Sequence, residues 1–437
     1  MKSISLFQGI IIGIFVVTAL IGLYVFATYT STGGENAIGT VTVWGTLPAT
    51  DLSAGLLAAT EDERSLKSVT YIEKDAVMLP SDLASAIATG SAPDLVLASQ
   101  EELLALAPFL APIPLATLSA RTFSSSFAEG SALLTIPNSG GYYGVPLLID
   151  PMVLFYNRAI LASSGIATPP KTWEALTGLV PKVATLTTSR QITRGLIALG
   201  TYDNVHNARG ILSTLFLQTS APVSTRAATG VISANLGLAP PGGGTPPGQA
   251  VVRFYTQFAD PTKVSYTWNA SLPDSQSAFQ TGDLALYLGF VSEARHLAVA
   301  APNLDFDVVP VPQPATAANK TTYGLIYAFM IPTGAKNPSG AYAAAALLTH
   351  VPAQLALARA TGLAPASRAA LAAQIPADPV AATASASALY GAGWLSPLPE
   401  DTDAVFSAMI GNVISGRYVL GEALATAERS LSALLRR

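Results

Sequence analysis

Short apolar, β-branched runs alternate along this chain with longer segments whose apolar residues recur every three or four positions. The runs at residues 40–45, 69–72, 144–149, 153–156 and 195–200 predict strands. The segments 51–59, 80–89, 101–110, 173–186, 208–218, 250–259, 337–350 and 401–435 predict helices. Pro146 sits where a central ladder has no use for a donor, and Pro169-Pro170 forces extended backbone just before Thr172, which is placed to N-cap a helix starting at Trp173. Ser81 is placed to cap the segment after Pro80 in the same way. Such alternation predicts an α/β fold in which strands 144–149 and 153–156, a turn and a capped helix form the organising stretch. Residues 219–249 break the pattern, ending in a run rich in Pro and Gly that reads as an exposed loop.

The amino terminus has a different character. No charged residue lies between Ser3 and Gly34, and residues 6–26 form a near-continuous apolar run long enough to cross about 30 Å of hydrocarbon as a helix. Lys2 and the α-amino group precede it, which orients the following chain outward. The small-residue cleavage pattern is poor at 27–31, so residues 1–30 are expected to be an uncleaved anchor rather than a signal peptide, with 31–39 as a polar linker. The expected location is therefore the cell membrane, with the body on the outer side, the alternative being export after cleavage of 1–30 as a signal segment.

Composition narrows the chemistry. At 437 residues the chain is long for a single core, and a net charge of −4 with only 11% charged residues provides no basic field for nucleic acid. The chain has no cysteine, which removes disulfides, thiolate catalysis and a lipid-carrying cysteine. His206, His296 and His350 show no metal-ligand spacing, and no nucleophile elbow, Walker loop or dinucleotide fingerprint is present. Neither a cofactor nor a metal is expected. The carboxylate pairs Glu101-Glu102 and Glu400-Asp401 read as solvated or helix-capping charges.

The run YYGVPLLIDPMVLFYNRAILASSGIATPPKTWEAL at 142–176, with Gly-Ser-Ala-Pro-Asp-Leu-Val-Leu at 90–97, Ala-Phe-Gln-Thr-Gly-Asp-Leu-Ala-Leu at 278–286 and Val-Val-Pro-Val-Pro at 308–312, resembles the extracellular solute-binding proteins of bacterial ABC importers, in the maltose-binding class. That resemblance implies a two-lobed, type II periplasmic-binding-protein-like fold, each lobe a sheet flanked by helices and joined by a hinge. Lobe I would comprise 40–149 and 327–367, and lobe II 150–326 and 368–437. It implies a monomer that closes on a small solute, in particular a carbohydrate, and docks on ABC permease subunits. Cleft candidates under that resemblance are Trp44 at the end of the first strand, Asp150, Trp268, Gly289, Phe290, Tyr323, Tyr327 and Trp394. A buried role competes with stacking for Trp44, and Asp94 reads more readily as a turn acceptor than as a cleft residue. A binding-fold receptor or adhesion module, and an anchored hydrolase, are the alternative functions.

Overall fold

The computed structural model describes residues 38–138, 140–219, 221–239, 242–373 and 376–436. The expected anchor at 6–26 and the linker up to residue 37 lie outside the described residues. The principal strands are β1 (Val41–Gly45), β2 (Val69–Glu73), β3 (Leu95–Ala98), β4 (Gly144–Asn157), β5 (Ile192–Ile197), β6 (Leu284–Phe290), β7 (Phe306–Pro310) and β8 (Thr322–Pro332). They run in the order β2-β1-β3-β8-β4-β6-β5, with β7 on the opposite side of β4 from β6.

Strand β4 ties the two parts of the molecule together. Its first half, from Gly144 to Pro151, pairs antiparallel with β8, while its second half, from Met152 to Asn157, pairs with β6 and β7. Every residue in it is buried except the half-buried Tyr156, as expected for a strand covered on both faces. The two apolar runs at 144–149 and 153–156 are thus one strand rather than two separated by a loop. Extended backbone continues through Asp150-Pro151 because Pro151 falls where β4 changes partners, so its missing N–H interrupts no ladder. Pro146 is accommodated by a register shift between Tyr327 and Ala328. The carbonyl of Leu147, freed by that shift, accepts from the Ala366 amide at 3.0 Å and the Gln354 side chain at 2.7 Å.

On the amino-terminal side of the crossing, β1 pairs in parallel with β2 and β3, and β3 meets β8 antiparallel. Helix Ala49–Asp62 packs against helix Val351–Thr361 over this part of the sheet. Asp94 fastens the assembly, accepting from the amides of Thr42 and Asn337, both at 2.9 Å. It is therefore an acceptor between distant segments rather than within its own turn.

The other side is built on β5, β6 and β7 around an aromatic core in which Phe155 lies 5.7 Å from Tyr287 and 5.9 Å from Phe306. Thr172 caps helix Trp173–Val183 through the Ala175 amide at 3.2 Å. Ser81, by contrast, lies inside helix Leu79–Ala88, whose N-cap is Met78. The segment expected to be an exposed loop contains a hairpin, Ser224–Arg226 with Ile232–Ala234. The carboxyl-terminal helices Pro399–Ile414 and Leu420–Leu434 pack on helix Pro247–Thr256.

Candidate functional site

The segment after β3 and the start of helix Ala208–Gln218 face each other across a polar crevice of about 380 Å³. Glu101 reaches it from the amino-terminal side. It is only 5% exposed, three residues past the end of the fully buried β3. Arg209, in the first turn of the opposing helix, donates Nη1 to Glu101 and Nε to Asp403 Oδ1 at 3.2 Å. Asp403, carried by helix Pro399–Ile414, also accepts from the Tyr202 hydroxyl at 2.5 Å. The Tyr323 hydroxyl donates to Glu101 from β8. Two carboxylates from separate elements therefore converge on one guanidinium, and each also accepts from a phenol.

Burial works against the charge on Arg209, but Glu101, Tyr323 and Asp403 outweigh it and hold the guanidinium above its ordinary value. Tyr202 and Tyr323 are raised chiefly by burial, with a neighbouring carboxylate adding to the effect. Both phenols are donors at neutral pH, and the carboxylates are acceptors. The wall thus offers fixed groups of both kinds to a ligand, with the Phe290 ring as its apolar face. His206 also lines the crevice, half-exposed, with Nδ1 3.7 Å from Asp274.

Phe290 and Tyr323 are the sequence candidates brought together here, with ring centroids 6.2 Å apart. Gly289 is closed over by its neighbours: a β-carbon there would lie 2.6 Å from the Tyr287 ring and 3.0 Å from Glu293. Glu293 is itself saturated by Asn207, Gln276, Tyr287 and the Phe290 amide. Asp150 is buried at the strand crossing and accepts from the Ser292 amide at 3.1 Å, while Tyr327 stands half-buried near it on β8. Trp44 is half-buried with Lys74 Nζ 4.1 Å from its ring centroid, away from the crevice lining.

Trp268 and Trp394 are core residues, each 1% exposed. Trp268 packs against Gly195 with its indole N–H unpartnered, and Trp394 donates to Ser213 Oγ at 2.9 Å. Neither presents a face to a ligand in this conformation. Glu101, expected as a solvated charge, is instead the buried acceptor of the site, and Arg209, Asp403 and Tyr202 carried no motif that marked them. The readable signal for Glu101 was a carboxylate within three residues of the end of an apolar strand. Among the described residues, no group of three His, Cys, Asp or Glu side chains is placed to hold a metal ion.

A sheet divided between two parts by a shared long strand, with a polar crevice at their junction, defines a two-lobed solute-binding fold. Residues 58–384 match the family model described as bacterial extracellular solute-binding protein, and the chain belongs to that family. No curated protein sequence matches it. Among solved structures it is similar to a cyclo/maltodextrin-binding protein complexed with maltotetraose, at 17% identity and TM-score 0.72 over 90% of this chain and 96% of that one. It is also similar to the cyclic α-maltosyl-1,6-maltose binding protein of Arthrobacter globiformis, at 16% identity and TM-score 0.74 over 91% and 99%. An ABC transporter solute-binding protein of Thermotoga lettingae bound with α-D-tagatose follows, at 18% identity and TM-score 0.65 over 91% and 99%. Identities this low speak for a shared fold.

Proposed function

We propose that the chain captures a small hydroxyl-rich solute, a sugar or short oligosaccharide, between its lobes and delivers it to an ABC permease, acting as a monomer without chemical turnover. The observation that carries this reading is the meeting of Glu101 with Arg209 across the crevice, with Arg209 also donating to Asp403. A sugar hydroxyl donates and accepts, so carboxylates, guanidinium and phenols on opposed walls can hold it once the lobes close. The solved relatives named for maltotetraose and α-D-tagatose support the ligand class. Residues 6–26 would tether the protein to the membrane outer face, the role that their length and lack of charge suit. Among the described residues no single helix is long and apolar enough to cross a membrane.

Thermal unfolding of the full-length chain against sugars, amino acids, peptides and polyols tests the ligand class. A ligand at 100 times its dissociation constant should stabilise the fold by about 2.7 kcal/mol. A shift confined to sugars, with no product formed, is the expected outcome. A shift confined to peptides or amino acids would replace the carbohydrate reading.

A further inference from the structure

A second and larger cavity, about 1020 Å³, lies between residues 129–137, the hairpin end at 226–228, the loop at 319–321 and the segment 389–395. It shares no lining residue with the polar crevice: Lys320-Thr321, just before β8, border it, while Tyr323 of β8 borders the crevice. Its walls carry apolar side chains, among them Leu133, Leu389 and Leu395, and two cations, Arg226 and Lys320, against the single carboxylate of Glu129.

The state of Arg226 gives this cavity its chemistry. Nη1 donates to the Thr135 carbonyl at 2.6 Å, and the guanidinium sits over the Tyr143 ring at 5.7 Å. Nη2, however, is buried with no hydrogen-bond partner among the described residues. A buried charged donor left unpaired is costly, and such groups are normally satisfied by an anion or an acceptor. Lys320 lies over the Tyr390 ring at 5.9 Å, on the same cavity, and makes no ion pair among the described residues. Burial also disfavours the charge on Arg226, which an incoming anion would counter.

We propose that this cavity is a second ligand site, distinct from the polar crevice, for a small carboxylate-bearing molecule with an apolar or aromatic body. The carboxylate pairs with Lys320 and with the Arg226 guanidinium, which must turn its buried Nη2 towards the cavity to reach it, and the body lies along the leucine-lined wall. A guanidinium holds a planar carboxylate through paired, charge-assisted bonds, which explains the preference for that group.

Isothermal titration of the full-length chain with benzoate, phenylacetate and hexanoate, with benzyl alcohol as the neutral control and inorganic phosphate as the anion without a body, tests it. At least one carboxylate should bind at least tenfold more tightly than benzyl alcohol or phosphate. Arg226→Gln and, separately, Lys320→Gln should each weaken it at least tenfold. Lys320 is exposed, so its variant leaves the fold intact even where Arg226→Gln does not. No carboxylate binding, equal binding of benzyl alcohol, or undiminished affinity in Lys320→Gln would overturn the proposal. Phosphate binding as tight as the carboxylates would overturn the assignment of the apolar body.

Discussion

Arg209 is the residue on which the crevice depends, since it answers carboxylates on both sides of it. Arg209→Ala should leave the buried Glu101 with Tyr323 as its remaining donor and destabilise the protein by on the order of 3 kcal/mol, read by urea unfolding. A second residue-level expectation concerns pH. Burial lifts the Asp150 carboxyl to about 7, with the bonds from Ser292 opposing the rise. The folded protein therefore holds this proton more tightly than the unfolded chain and binds more protons between the ordinary carboxylate range and pH 7. Stability falls as pH rises through that window. Asp150→Asn keeps an oxygen for the Ser292 amide and should flatten the fall by up to about 1.4 kcal/mol per pH unit, in unfolding titrations between about pH 5 and 7. Glu102, lifted to about 7 chiefly by burial as well, keeps part of the slope in that variant. The tryptophans give a contrast at the same scale: Trp394→Phe leaves Ser213 without its donor, whereas Trp268→Phe removes an unpartnered one. Trp394→Phe should therefore cost about 1 kcal/mol more in thermal unfolding.

At the scale of elements, the helix-to-strand turn before β6 shows how local sequence sets the site. Helix Ser275–Thr281 is capped by Asp274 at its start and closed by Gly282 in the left-handed region at φ +82°. Gly282→Ala meets no neighbouring atom and suffers only the backbone strain, about 1 kcal/mol, measurable as a lowered Tm. Some elements were legible in the sequence because their signals are local: Thr172 before a helix, and β-branched apolar runs for the strands. The continuity of β4 was not legible, because Asp150-Pro151 reads as a break until its change of partners is known. The hairpin after residue 219 was hidden by the Pro and Gly run that follows it.

For the whole molecule, the two-lobed arrangement was readable from the order of motifs, whereas the charges that meet at its junction were not. Glu101 and Arg209 are 108 residues apart, and Arg209 and Asp403 are 194 apart, so only the folded topology pairs them. Aromatic candidates were placed by strand ends and by the resemblance, neither of which reports burial, and Trp268 and Trp394 are the largest fully buried side chains among the described residues. The central claim is that opposed walls of the crevice hold a sugar together. Its most direct test is isothermal titration of the full-length chain with a series of mono- and oligosaccharides, repeated on Glu101→Gln and Arg209→Gln. Saturable one-to-one binding by at least one sugar, weakened at least tenfold by either substitution, is the predicted result. No saturable binding by any sugar, or binding that survives both substitutions unchanged, would contradict it.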